Sequence, residues 1–502
     1  MLANPTTNRS LPIFQVGCLV LLTCLLSPTW GFAQYAATEP VDPTLKTGFE
    51  TITEDDSKHI LSILTGQGFD GRGTGQEGYI RAAHFVAGRL AEYGFKPIGD
   101  GGTYFQNLPF RQVLADTTAS SIKVGETVFS GEGSIGFSQV SGSQPISGNV
   151  VVVKAKGPTL RFEEREAVDG KVVLLITEDA DPRFDTTVQR GNPAAILRIA
   201  DGAAKNQPTQ IRPGGSIRTQ GIRAELGKDH LESLAKALGV EAQVLAQPTE
   251  EKIEIIPLEA SLAIDLKAIE RGITVPNVVG WLEGSDPEVK DEYIVIGAHL
   301  DHLGVQGGQL FPGADDNGSG STAILQIAKA LHANPTKPRR SILYMAFAAE
   351  EMGLIGSRHY VENPIMPLDK AVCMLNIDMI GRNEEKDDEP ASENEDSIHL
   401  VGTKKLSDEL HQAVLEANKH VGFRFEYDEE QVYRRSDHYS FASKSIPSTF
   451  LFGGFNPYYH QTTDGLEGIN YSKIANAARL YYLVAMAAAE TGKYELNEEV
   501  KP

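Results

Sequence analysis

Cysteine is almost missing from this chain, with three in 502 residues, and two of them, Cys18 and Cys24, fall in the N-terminal stretch. A single cysteine beyond that stretch excludes an intramolecular disulfide framework and a thiolate-bound metal cluster, so stability must come from core size or from metal held by other ligands. Cys373 itself sits in the apolar run Ala371-Val372-Cys373-Met374-Leu375, which predicts a buried strand residue rather than a nucleophile. Positive charge is also short: 46 Lys and Arg stand against 67 Asp and Glu, a formal net charge of −21. That balance repels phosphate backbones and anionic headgroups, so nucleic acid and membrane surfaces are excluded as expected partners. Repeats of fixed period are missing too, and the one compositionally biased segment is the acidic 384–396 run, read as a solvated loop with calcium binding as the alternative. What is present is ordinary globular composition, 41% hydrophobic and 23% charged, over a length that allows two to four domains.

Residues 1–33 carry one charge, Arg9, and an apolar stretch from Leu11 through Phe32 broken by Pro12, Gln15, Gly17 and Pro28. With the small-residue ending Gly31-Phe32-Ala33, the segment reads as a secretory signal peptide cut before Gln34. The expectation is an exported protein, periplasmic or extracellular, with no permanent membrane span once the leader is removed. An uncleaved anchor and a lipoprotein attached at Cys24 are the alternatives, the second weakened by Thr23 before the cysteine.

Helix-spaced apolar positions predict helices over 55–66 and 77–94. The glycines of 66–71 match a dinucleotide-binding pattern, but a helix rather than a strand precedes them, so a loop is expected. From about 120 to 258 short β-like runs, Val150–Val153, Lys171–Ile176 and Ala195–Ile199, alternate with Gly, Pro and Asp turns and hold no ligand cluster. This is the pattern of an inserted, mainly β accessory domain over 120–258. The flanking stretches, 34–119 and 259–502, then form one domain. Its second part alternates strand and helix: Tyr293–Ala298 then 320–332, Ser341–Ala348 then 353–362, Ala371–Ile377 then 406–418, Ser448–Phe452 then 471–489. Such alternation predicts an α/β fold with helices on both faces of the sheet and ligands at the carboxyl ends of the strands.

Candidate ligands fall at those ends. Gly297-Ala298-His299-Leu300-Asp301-His302 closes the first strand, and in extended chain His299 and Asp301 share a side. His299 can then ligate a metal while Asp301 orients it. Asp315-Asp316 precede a helix and by themselves could equally be a cap. Glu350-Glu351 follow a buried strand, where a carboxylate pair needs a cation or a shared proton. Asp378 ends another strand, and His460 lies in the loop after the last one. Imidazoles and carboxylates without thiolate suit zinc, and the ligand count with a shared carboxylate favours two ions. His302 is read as a hydrogen-bonded loop histidine, and His84, His332 and His359 as structural or exposed positions on helices.

Five ordered motifs, Gly-Ala-His-x-Asp at 297–301, Gly-Ala-Asp-Asp-Asn-Gly-Ser-Gly at 313–320, Ala-Glu-Glu-x-Gly-Leu-x-Gly-Ser at 349–357, Asn-x-Asp-Met-Ile-Gly at 376–381 and Tyr-His-x-x-x-Asp at 459–464, resemble the dizinc M28 peptidases. Gly-Arg-Gly-Thr at 71–74 and Gly-Asp-x-Gly-Thr-Tyr-Phe-Gln at 99–106 resemble the N-terminal part of that family, and the inserted stretch resembles a protease-associated domain. The resemblance implies a zinc-peptidase fold with a mixed sheet and two Zn2+ per chain. His299 and Asp378 would hold one ion and Glu351 and His460 the other, with Asp316 bridging. It further implies Glu350 as general base, Tyr459 as oxyanion partner, Asp301 as the group behind His299, a cis peptide after Asp316, and Arg435 near the substrate. Peptides are the implied substrates and N-terminal residues the implied products. A carboxypeptidase or amidohydrolase on the same site, and a non-catalytic binding protein on the same scaffold, are the competing functional readings.

Overall fold

Four segments of nearly continuous apolar sequence, Tyr293–His299, Ser341–Phe347, Ala371–Asp378 and Ser448–Phe452, are buried along their whole length. Strands buried on both faces pair in parallel when helices cross over between them, and these four do so in the order 448–452, 371–378, 293–299, 341–347. The computed structural model describes residues 35–500 except 158–159, 161, 179–183, 212–221, 307 and 387. The expected signal peptide and its cleavage point lie outside the described residues. No helix among the described residues is long and apolar enough to cross a membrane.

Antiparallel strands extend the parallel core on both sides. Ser397–Val401 lies against 448–452 and is joined in parallel by Arg424–Glu426. On the far side Ala268–Leu282 pairs antiparallel with Ser341–Phe347 and with Phe105–Ala115. Mixed pairing and flanking helices give the α/β fold that the alternation predicts. The outer strands carry little sequence signal because Pro109, Gly272, Pro276 and Gly280 interrupt their apolar pattern.

Alternate strand residues supply two cores. Ile294, Ile296, Ile342 and Tyr344 pack with helices Glu54–Leu64, Glu77–Glu92, Gly320–Ala333, Asp408–Asn418 and Tyr471–Glu490 on one face. Tyr293, Val295, Leu343 and Met345 pack with Tyr360 and Phe441 of the short helices on the other. Each fully buried aliphatic contributes about 1.5–3 kcal/mol, and Cys373 is among the fully buried residues of the first core. Several helices start where local chemistry says they should: the side chains of Thr53, Ser407 and Asn470 accept backbone N–H bonds from Asp56, Leu410 and Lys473.

Between residues 121 and 266 eight strands build a second sheet, while Thr209–Ile211 pairs instead with Phe105–Ala115 of the first. It has its own apolar clusters, one around Val150, Leu174 and Leu197 and one around Val151, Val173 and Ile196. The strand Ile253–Leu266 runs through position 258, so the second sheet continues past the boundary drawn from composition. Phe105–Ala115 spans both bodies, with Leu108 and Phe110 in the first core and Val113 and Ala115 in the second.

The acidic 384–396 run is not simply a solvated loop. Glu384 and Asn394 are fully buried, Glu384 against His399 and Lys386, and Asn394 beneath the buried ammonium of Lys473, which donates to its carbonyl.

Candidate metal centre

The carboxyl ends of the parallel strands converge, and sharp backbone turns aim their side chains. Ala349, Met379 and His460 all take left-handed conformations, with φ of 55°, 52° and 57°. Such geometry costs a non-glycine residue on the order of 1 kcal/mol and is typical of functional sites. These are the positions immediately before Glu350, immediately after Asp378, and His460 itself. The peptide between Asp316 and Asn317 is cis.

Asp316 stands at the middle. Its Oδ1 lies 3.4 Å from His299 Nε2 and its Oδ2 lies 3.1 Å from His460 Nε2. Asp378 Oδ1 is 3.1 Å from the same nitrogen of His299, and Glu351 Oε2 is 3.1 Å from the same nitrogen of His460. Donor atoms about 2.0–2.1 Å from one tetrahedral ion are about 3.3 Å apart, so the spacing fits two ligand sets that share Asp316. His299 Nδ1 lies 3.0 Å from the main-chain oxygen of Asp301, which can only accept, so Nδ1 carries a proton and Nε2 faces the carboxylates.

The groups around this centre hold it in place. Asp301 Oδ1 accepts from the Glu350 N–H and Oδ2 from the Thr74 hydroxyl. The carboxylate of Asp301 therefore anchors Glu350, while its carbonyl orients His299. Ser436 donates to Asp378 Oδ2 over 2.7 Å, and His302 Nδ1 lies 2.8 Å from Glu351 Oε1. Asp464 accepts from the N–H groups of Asp315 and Asp316 and pairs with Arg382. Arg72, fully buried, donates to the carbonyls of Leu64, Leu300, Pro312 and Gly313.

Electrostatics match a site built for cations. Burial first, then the charge of Glu351, pushes the Asp316 carboxyl above its ordinary value. Burial likewise raises Glu350 well above a normal glutamate, with Asp378 and Glu351 adding repulsion. Burial opposes charge on His460, but the bonds to Asp316 and Glu351 outweigh it and lift the imidazole to about 10. A positive charge among these groups relieves what the carboxylates cost one another.

Beside the centre lies a pocket walled by Met379, Val432, Phe450, Phe452 and Phe455, with Arg435 and Tyr459 at its polar side. Arg435 Nη2 donates to the Tyr459 hydroxyl over 3.1 Å, and the Tyr459 ring stacks on His460 with centroids 3.9 Å apart. Every residue singled out in the sequence as ligand, base or partner is thus brought to one place. His302, read from the sequence as a hydrogen-bonded loop histidine, has Glu351 as its partner, whereas the contacts of Asp464, Ser436 and Arg72 have no counterpart in the sequence reading; Asp464 and Arg72 lie inside quoted motifs, which is the available signal, and Ser436 follows Arg435.

The model of peptidase family M28 matches residues 277–485. The chain is 29% identical over 251 residues to an aminopeptidase of Bacillus subtilis, YwaD, a match covering 48% of this chain and 50% of that protein. It is 27% identical over 366 residues to a probable lipoprotein aminopeptidase of Mycobacterium tuberculosis, LpqL, covering 66% and 64%. The chain thus spans about half the length of the first relative and under two thirds of the second. A zinc aminopeptidase structure from Bacillus subtilis superposes over 90% of this chain and 99% of its own, with TM-score 0.54 at 17% identity, a likeness of fold. The motifs at the strand ends fall inside residues 277–485, so it is this segment of the chain that carries the peptidase family M28 domain.

Proposed function

We propose that the chain is an exported zinc aminopeptidase that releases N-terminal residues from peptides. The observation that carries this reading is the Asp316 carboxylate, whose two oxygens face two different imidazoles, each with a further carboxylate beside it. The donor set is nitrogen and oxygen only, which fits zinc. His299 and Asp378 would hold one Zn2+, Glu351 and His460 the other, and Asp316 both. When bound, the pair supplies Lewis acidity toward the scissile carbonyl and lowers the pKa of water toward neutrality.

The side chains do the rest. Glu350 takes the proton from the attacking water and passes it to the leaving amine, and its raised proton affinity suits a base. Asp301 fixes its main chain. Burial, then the charges of Asp316 and Glu351, raises the Tyr459 phenol, so it stays a donor for the developing oxyanion, with Arg435 bonded behind it. Water adds across the amide, leaving a free amine and a carboxylate. The aromatic wall of Phe450, Phe452 and Phe455 favours apolar N-terminal side chains. The sheet at 121–266 is read as a protease-associated-like accessory domain inserted into the peptidase domain.

The test is metal content together with hydrolysis of aminoacyl chromogenic amides by wild type and Glu350→Gln. We expect about two zinc per chain, cleavage only where the α-amine is free, leucyl and phenylalanyl amides preferred over glutamyl, and a loss of at least about 100-fold in the variant with metal retained. Activity confined to N-acylated or free-carboxylate substrates would support the carboxypeptidase or amidohydrolase reading instead, and neither metal nor hydrolysis would support a binding protein.

A further inference from the structure

Away from the centre just described, another imidazole and two carboxylates meet at ligand spacing: Glu384, His399 and Glu426. They come from three separate segments. Glu384 follows the strand Ala371–Asp378, and His399 and Glu426 are register partners on adjacent parallel strands. His399 Nε2 lies 3.2 Å from Glu384 Oε2 and 3.8 Å from Glu426 Oε2. That range overlaps the 3.1–3.4 Å spacing around Asp316.

Two further observations point to a ligand. Glu384 is fully buried, yet its Oε1 has no hydrogen-bond partner. A carboxylate left so in a protein interior is costly. Charge is also unbalanced: among the described residues the acids Glu384, Asp396, Glu426, Asp428 and Glu429 face the cations Lys386, Arg424 and Lys473, which leaves two negative charges beside a neutral His399.

We propose that Glu384, His399 and Glu426 form a further divalent-metal site of the zinc or manganese class, with His399 Nε2 and one oxygen of each glutamate as ligands. An imidazole with carboxylates and no thiolate suits those ions better than calcium, which takes oxygen alone. Asp428 Oδ1, 3.0 Å from His399 Nδ1, stands where a carboxylate turns the ring of a metal-ligating histidine. Lys386 Nζ lies 3.1 Å from Glu384 Oε2 and competes for that oxygen. Its side chain is one-third exposed, so the ammonium has solvent to move into when an ion enters.

The site reaches the substrate pocket through packing. The His399 ring contacts that of Phe452, centroids 5.8 Å apart, and Phe452 contacts Phe455. Glu384 also lies so close beneath Gly454 that a Cβ there would come within 2.4 Å of its own. An ion held by Glu384 and His399 braces the pocket wall at Phe452 and Phe455.

The experiment titrates chelator-stripped full-length protein with Zn2+, Mn2+ and Ca2+, reading metal equivalents and melting temperature. Glu384→Gln and Glu426→Gln are compared with wild type, the second because its position at the sheet edge tolerates change. Wild type is expected to bind one equivalent of Zn2+ or Mn2+ more than either variant. The rise in its melting temperature on metal addition should be at least about twice theirs, since a ligand stabilises only the chain that binds it. Lys386→Ala, which removes the competing ammonium, should bind that equivalent about tenfold more tightly. Equal metal content in all chains overturns the proposal and leaves an ion-pair network centred on Lys386. Filling of the extra equivalent by Ca2+ in preference to Zn2+ and Mn2+ overturns the assigned class.

Discussion

At the scale of single residues, second partners decide how well each functional group is aimed. Asp378 touches His299 with one oxygen and accepts from Ser436 with the other, and Ser436 in turn accepts from Asn376. Ser436→Ala frees the Asp378 carboxylate to rotate, so zinc affinity should fall about 10–100-fold, read by competition with a chelator, and excess zinc should restore hydrolysis. Tyr459 contributes differently. Its hydroxyl is aimed by Arg435 but holds no place in the ligand set. Tyr459→Phe should therefore lower kcat at least about tenfold with zinc content and KM nearly unchanged. A rise in KM alone would instead make Tyr459 a binding residue.

At the scale of elements, the loops that carry ligands are held from distant parts of the chain, and this limits what sequence can reveal. The strand ends were legible: apolar runs closing on His299, Glu350, Glu351 and Asp378 announce buried parallel strands whose next residues need charge compensation. Arg72 was not. Its guanidinium meets carbonyls 228 and 241 positions away at Leu300 and Gly313, and no local pattern marks an arginine for burial. Asp464 holds the turn at Asp315 and Asp316 from 149 and 148 positions away. Glu384 looked like one more acid in a solvated run until its partner His399 was placed. The strand Ile253–Leu266 hid the true end of the second sheet, because Ile255-Ile256-Pro257 interrupts its alternation and its register shifts between Pro257 and Ser261, just where composition suggests a boundary. Arg72→Met tests the role of such a stitch. Burial, largest of its causes, lowers the Arg72 pKa to about 10, still charged at neutral pH. The variant keeps the volume but strands four carbonyls. Stability should fall by about 3 kcal/mol or more in urea unfolding, with zinc loss following as the 300–313 segment loosens.

At the scale of the whole molecule, adjacent buried groups set opposing responses of stability to acid. His438 is fully buried, its ring stacked 4.6 Å from that of Phe450, and burial pushes its pKa down to about 3. The native state keeps it neutral, whereas the unfolded chain binds a proton below about 6.5. Its contribution is complete above that value and is lost, at about 1.4 kcal/mol per pH unit, as pH falls toward 3. Asp437 beside it is also fully buried, both oxygens without a hydrogen-bond partner, and burial lifts its pKa to about 7. Here the native state holds a proton that the unfolded chain gives up near 4, so this contribution is complete in acid and is lost as pH rises toward 7. Between about pH 4 and 6.5 the two slopes cancel. Removing either one should expose the other. In metal-stripped protein, so that ligand protonation does not intrude, the stability of His438→Gln relative to wild type should improve on acidification by about 1.4 kcal/mol per pH unit. That of Asp437→Asn should worsen by about as much over the same window. Urea unfolding at pH 4.5, 5.5 and 6.5 reads both, and parallel lines for the three proteins would mean that neither group keeps its buried proton state in solution.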